Sequence, residues 1–150
     1  MLLSVPITFD TQETHFLNVD LDIYSKRDLQ PLVDRLGRKV FVNYVGRERG
    51  KFSAHLEVAK IPTTADAAIR AFCRLIGDLP EPERKIWDSA IVRSFNIGVQ
   101  AGRRTPVRDF QVRQSTVAQV SEVGAEIVLT VYARMREPRR KKGPSQSRIA

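Results

Sequence analysis

The chain has 150 residues, of which 42% are hydrophobic and 28% are charged. This length and composition fit one globular domain, and they exclude a disordered or membrane-embedded chain. The formal net charge is +8, but residues 134–150 hold seven Lys and Arg against one Glu, so +6 lies there and only +2 in the body. The one cysteine excludes an internal disulfide and a thiolate metal site.

The N-terminal residues do not resemble a secretion signal. The segment MLLSVPITFD has no basic region ahead of its apolar stretch, and it reaches Asp10 before that stretch becomes long. No part of the sequence approaches the roughly 20 apolar residues that span a bilayer. We therefore expect a cytoplasmic protein without a membrane partner.

The first predicted elements are a strand and a helix. Apolar and polar residues alternate over 15–24, which is typical of a half-buried strand. A helix should open near Ser25, because the apolar residues that follow have helical spacing: Leu29, Leu32, Val33 and Leu36. Gly37 stands where a glycine with a positive φ would end that helix.

A β-hairpin is predicted next. Residues 39–45 form the second strand, and the sequence GRERG is a turn signal. The third strand runs over 51–59 and alternates as the first does, with Phe52, Ala54, Leu56 and Val58 on one face.

Two helices form the middle of the chain. The hydroxyl of Thr64 can cap the first of them, which runs to about Ile76. Cys73 lies in the apolar row of this helix and is expected to be a small buried hydrophobe. Pro82 fits the first turn of the second helix, and Trp87 belongs to its buried stripe.

The last predicted elements are a strand, a helix and a strand. The fourth strand covers residues 94–101. Ser115 or Thr116 is expected to cap the last helix, and Gly124 to end it. The final strand covers residues 126–134.

This order, β-α-β-β-α-α-β-α-β, predicts an α+β fold. Its first part matches a ferredoxin-like (split β-α-β) sheet with helices on one face. We expect residues 1–134 to form a single α+β domain and residues 135–150 to be a disordered basic tail. How the last helix and strand join the sheet is left open: they either extend its edge or form a pseudo-symmetric half.

A faint internal duplication points to two β-α-β units. When Gly37 is aligned with Gly124, the segment Val40, Val42, Tyr44 lies opposite Ile127, Leu129, Val131 without a gap. The preceding strands match as well, with Leu17, Asn18, Val19 and Leu21 opposite Phe95, Asn96, Ile97 and Val99.

The sheet face away from the helices is predicted to be polar. The first and third strands are neighbours in a split β-α-β sheet, which would bring Asp20 and Asp22 near His55 and Glu57. Carboxylates beside an imidazole can bind a metal ion or perform acid–base chemistry. A polar face is also what antiparallel sheets commonly present to water. A small metal- or ligand-dependent enzyme that uses these four side chains is therefore an alternative hypothesis, and the sequence favours no catalytic residue.

Aromatic residues are interleaved on the same predicted face. They are Phe16, Tyr24, Phe41 and Tyr132. RNA-recognition sheets stack bases on such residues, but here carboxylates lie between them and would repel phosphates. A mixed aromatic and polar face suits a protein partner or a homodimer better.

The remaining motifs are few. The basic run Arg139, Arg140, Lys141 and Lys142 could bind nucleic acid non-specifically, and nucleic acid is not expected as a partner elsewhere. The sequence has no P-loop, GxGxxG, GxSxG, HExxH or CxxC motif, so no cofactor is expected.

The chain resembles a family of small bacterial α+β proteins that are grouped as a domain of unknown function. The resemblance spans about residues 15–134 and includes the closing segments FNIGVQAG and STVAQVSEVGAEIVLTVYA. It implies a cytoplasmic bacterial protein with an α+β fold and no catalytic residues to carry over. By analogy of fold and size, an immunity- or antitoxin-like role is one form that protein binding could take.

Overall fold

The computed structural model describes residues 13–60, 62–104 and 106–134. It is an α+β fold, with five strands and four α-helices in the predicted order. The strands are β1 (His15–Ser25), β2 (Val40–Glu48), β3 (Lys51–Val58), β4 (Val92–Gln100) and β5 (Glu126–Tyr132). The helices are α1 (Gln30–Leu36), α2 (Ala65–Gly77), α3 (Glu81–Asp88) and α4 (Gln114–Glu122). Residues 135–150, including the predicted basic tail, lie outside the described residues.

The five strands form one mixed sheet in the order β2-β3-β1-β4-β5. The pairs β1–β3, β2–β3 and β1–β4 are antiparallel, whereas β4–β5 is parallel. The hydrophobic core lies between the helices and one sheet face, where the rings of Phe72 and Phe95 stack with centroids 5.7 Å apart. The last helix and strand thus extend the sheet, and β5 is its edge strand.

Two register shifts change which residues face the helices. The first lies between Phe16 and Asn18, so that Phe16 pairs with Val99 and packs against the core. The second lies between Val42 and Tyr44 and places Tyr44 opposite His55, on the open face. The predicted position of Phe16 on the open face is therefore wrong, because a bulge inserts one residue and reverses the alternation beyond it.

The helix ends follow the sequence signals only in part. The Thr64 hydroxyl accepts a hydrogen bond of 3.1 Å from the backbone N–H of Ala67, which confirms the predicted cap of α2. The cap predicted for α4 is wrong, since α4 begins after Arg113 without a side-chain cap and Thr116 is buried within it. The N–H of Arg113 instead donates to the Asp66 carboxylate at 2.9 Å, so a contact from α2 replaces the local cap.

Gly37 and Gly124, the two glycines predicted to end helices, have positive φ angles of +56° and +72°.

Trp87 is fully buried, and its indole N–H donates to the carbonyl of Val123 at 2.8 Å. Cys73 is buried as expected, and burial raises the pKa of its thiol to about 11.

Within the described ranges no helix has the length and apolar character needed to cross a membrane.

The two segments predicted to be duplicates differ in their strand pairing. The strands β1 and β2 are separated by β3, whereas β4 and β5 are direct neighbours in parallel. The internal duplication therefore stays a prediction from the sequence pattern.

Candidate functional site

The open sheet face carries a carboxylate–imidazole pair. His55 on β3 and Asp22 on β1 are cross-strand neighbours, and the distance from His55 Nδ1 to Asp22 Oδ1 is 2.7 Å. The rings of Tyr24 and Tyr44 flank the imidazole, with centroid distances of 5.7 and 6.0 Å. The pair is half-buried, so its orientation is set by both neighbouring rings and by the strand register.

A second pair on the same face consists of Asp20 and Glu57. The side-chain amide of Asn18 donates to Glu57 at 2.8 Å and to Asp20 at 3.2 Å, and Asn43 also donates to Glu57, at 3.1 Å. Burial raises the pKa of Asp20 to about 6, and the hydrogen bond and negative charge of Glu57 contribute to the same shift. Asp20 is therefore about half protonated near pH 6, because burial and the neighbouring negative charge disfavour its ionised form.

The four predicted polar residues thus form two pairs rather than one centre. Within the part of the chain that the structure describes, no group of three or more His, Cys, Asp or Glu side chains is placed to hold a metal ion. One oxygen of each carboxylate, Asp20 Oδ1 and Glu57 Oε1, already accepts hydrogen bonds from the side-chain amides of Asn18 and Asn43. What the face can do chemically is exchange protons, through the Asp22–His55 pair and through Asp20.

The aromatic residues of the open face do not form one patch. Phe41 lies on β2 and is 62% exposed, while Tyr132 lies on β5 and is 50% exposed. These strands are at opposite edges of the sheet, about 19 Å apart at the usual strand spacing. Tyr24 is half-buried beside the imidazole of His55. The aromatic residues predicted as an interface are therefore divided between two edges.

The edge strand β5 is apolar and exposed on both of its faces. Leu129 and Val131 lie on the helix side, opposite Ile97 and Val99, yet they are 60% and 57% exposed. The exposed large hydrophobic residues of this strand are Ile127, Val128, Leu129, Val131 and Tyr132. A continuous apolar run normally belongs to a strand covered on both faces. The sequence signal for this exposed surface is the continuous apolar run IVLTVY. If the run is read as an alternating strand, only one row of its side chains is predicted to be buried.

The other edge of the sheet is protected in the ways that edge strands commonly are. The bulge between Val42 and Tyr44 interrupts the pairing of β2, and charged residues, Arg47 and Glu48, occupy its end. Bulges and charges of this kind discourage another strand from pairing with an edge. The strand β5 has no charged residue after Glu126, no proline, and no register shift against β4. The unprotected apolar edge is therefore the exceptional surface of the described structure.

A cleft of about 500 Å³ opens at the start of α2. Phe16 and Phe110 contribute apolar walls, and Arg70 and Asp66 lie at its polar side. The carboxylate of Asp66 is 3.3 Å from the Arg70 guanidinium and accepts the N–H of Arg113. Three arginines and two aspartates line this cleft, and because Asp66 is already held by Arg70 and by the N–H of Arg113, the lining indicates no particular class of ligand.

Comparison with protein-family models, with curated proteins and with solved structures finds no match for this chain. The resemblance to a small bacterial family stays a prediction, and any assignment of function rests on the geometry described above.

Proposed function

We propose that this chain is a non-enzymatic protein-binding module whose binding element is the edge strand β5. One observation carries the proposal: five large apolar side chains of this strand are exposed, on both of its faces, at an edge that has no protective device. Large exposed apolar surfaces on soluble domains mark interaction sites. Open strand edges recruit a further strand through main-chain hydrogen bonds, and the side chains on alternate faces give specificity.

In-cell photo-crosslinking tests whether a protein occupies this edge. A photoreactive phenylalanine analogue is placed at Val131 in one variant and at Phe41 in the other, two positions of similar exposure at opposite edges of the sheet. We expect the Val131 variant to give an adduct of defined mass, identified by mass spectrometry, and the Phe41 variant to give none. Adding Leu129→Lys to the Val131 variant should remove the adduct, because a charge then points into the apolar contact.

The opposite result would support a different surface. Adducts at Phe41 but not at Val131 would favour the open face near β2 as the interface. Crosslinking at neither position would mean that neither edge binds a protein, which would contradict the proposal.

Proton-exchange chemistry on the open face is a second candidate function. The observation that favours it is the raised pKa of Asp20, about 6, next to the Asp22–His55 pair. Groups with shifted pKa values are common in active sites. Screening with chromogenic esters, phosphate monoesters and glycosides tests it: turnover that is lost in both Asp20→Asn and His55→Gln would support an enzyme. An absence of turnover in the parent protein would leave protein binding as the better account.

The finer fold assignment is part of the same proposal. The order β2-β3-β1-β4, with β1–β3, β2–β3 and β1–β4 antiparallel, supports a ferredoxin-like split β-α-β core to which β5 has been added. A cytoplasmic bacterial protein with an immunity- or antitoxin-like role is the biological setting that this proposal favours.

A further inference from the structure

We infer that the strand which completes β5 belongs to a second copy of this chain, paired antiparallel about a two-fold axis that passes beside Thr130. This inference rests on the proposed function, because it names the partner of the same edge. It follows from three properties of residues 126–134: the direction of the backbone groups of β5, the match of its side chains with themselves, and the charges on either side of its apolar run.

The backbone direction is set by the contact with β4. The carbonyl of Tyr132 accepts a hydrogen bond of 3.0 Å from the N–H of Ala101, so it points toward β4. The N–H and C=O groups of successive residues in a strand point to opposite sides. The backbone groups of Leu129 and Val131 therefore point outward from the sheet, where no other strand of the described residues pairs with them, whereas those of Thr130 point inward.

An antiparallel pairing centred on Thr130 uses these outward groups fully. Leu129 then lies opposite Val131 of the second copy, as a hydrogen-bonded pair on the helix side. Val128 lies opposite Tyr132 of the second copy on the open side, and the two Thr130 residues face each other in a non-hydrogen-bonded pair. Pairs of an aromatic with a β-branched residue are among the favourable cross-strand contacts. Because β5 occurs in both copies, the off-axis contacts are each made twice, and the Thr130 pair on the axis is made once.

The charges on either side of the apolar run select this register. Glu126 precedes the apolar run and Arg134 follows it, with no charged residue between them. In the pairing centred on Thr130, Glu126 lies opposite Arg134 of the second copy, at both ends of the interface. Neither side chain forms an ion pair within its own chain, across the described residues. A segment with an acidic start, an apolar middle and a basic residue after it is complementary to itself when it is reversed, and this argues for a second copy over a foreign strand.

Disulfide trapping of the purified full-length protein tests the register. Thr130→Cys places two thiols about 4.5 Å apart between Cα atoms in a non-hydrogen-bonded pair, within the range of a disulfide. The matched control is Val128→Cys on the same strand face, where the two copies would be about 13 Å apart along the strand, beyond that range. The native Cys73 is buried and does not compete. We expect covalent dimer from Thr130→Cys and none from Val128→Cys.

A charge exchange tests the identity of the partner. Glu126→Lys alone and Arg134→Glu alone each place like charges together at both ends, and each should weaken dimerisation roughly tenfold in analytical ultracentrifugation. The double variant with both substitutions restores opposite charges and should dimerise like the parent. The double variant also controls for folding, because it carries both changes at once.

Several outcomes would overturn the inference without touching the proposed function. These are a crosslinked adduct at Val131 whose mass is not twice that of the chain, covalent dimer from Val128→Cys instead of Thr130→Cys, or a double charge variant as weak as the single ones. If Val131 gives no adduct of any kind, the proposed function fails as well. A parent protein that stays monomeric at millimolar concentration, while Val131 still crosslinks, would assign the edge to a foreign protein.

Discussion

The pair of Asp20 and Glu57 makes the stability of the folded chain depend on pH. In the folded chain the pKa of Asp20 is about 6, against an ordinary value of 3.8, because burial and the adjacent Glu57 disfavour its charged form. A group whose pKa is raised on folding binds more protons in the folded state, so the free energy of unfolding falls as pH rises through the interval between the two values. The free-energy cost of ionising Asp20 in the folded chain is absent below about pH 4 and complete above about pH 6 to 7.

The corresponding prediction is that Asp20→Asn stabilises the protein at pH 8 by about 1 kcal/mol, a value reduced from the full linkage because the group is only half-buried. The same variant should show no gain at about pH 3, where Asp20 is protonated in both states. Urea denaturation at the two pH values measures the difference, with Asp34→Asn on the exposed face of α1 as the control. An equal gain at both pH values would mean that the substitution acts through packing and not through charge.

At the scale of the element, the ends of α1 and α4 depend on glycine geometry. Gly37 has φ +56° and ψ −131°, and Gly124 has φ +72°. These angles are costly for residues with a Cβ atom. The two positions differ in their surroundings: a Cβ at Gly37 would contact nothing within 4 Å, whereas one at Gly124 would lie 3.4 Å from the Arg93 guanidinium.

We therefore predict that Gly37→Ala and Gly124→Ala each lower the free energy of unfolding by about 1 to 2 kcal/mol through backbone strain. Gly77→Ala is the matched control, because that glycine ends α2 without a positive φ and with open space around it. The control should be neutral or slightly stabilising in the same urea denaturation experiment. If Gly77→Ala destabilises as much as the other two, the cause is not the positive φ angle.

At the scale of the whole molecule, the sheet has two edges of opposite character. The β2 edge carries a bulge and charges, whereas the β5 edge presents exposed apolar residues and outward backbone groups that pair with no other strand of the described residues. Sheet edges of the second kind expose the chain to uncontrolled association unless a specific partner covers them. The dimer that we infer would bury this edge in a continuous ten-stranded sheet, five strands from each copy.

Folding should then be coupled to protein concentration. Dimerisation stabilises the folded state by mass action, so the melting temperature of the parent should rise as the protein concentration rises from micromolar to millimolar. The Leu129→Lys variant should melt at a temperature that does not depend on concentration, and Phe41→Lys at the other edge should behave like the parent. Differential scanning calorimetry over this concentration range measures the effect. A parent whose melting temperature is constant would contradict self-association.

Much of the fold followed from local patterns that do not depend on distant contacts. The order of strands and helices, the cap at Thr64 and the positive φ angles of Gly37 and Gly124 are all read from short segments, since capping and turn geometry involve residues close in sequence. The nearness of Asp20 and Asp22 to His55 and Glu57 also followed, because the element order predicted that β1 and β3 would be neighbours, as they are. These features are determined by the sequence itself.

Tertiary structure alone decided the rest. The bulge that turns Phe16 to the helix side arises from the pairing of β1 with β4, and the N–H of Arg113 is satisfied by Asp66 from another helix. An apolar run such as that of β5 predicts burial but not what covers it, because hydrophobicity is the same whether the covering strand belongs to the chain or to a partner. The position of β5 at the edge, with Leu129 and Val131 exposed, emerges only when all five strands are assembled.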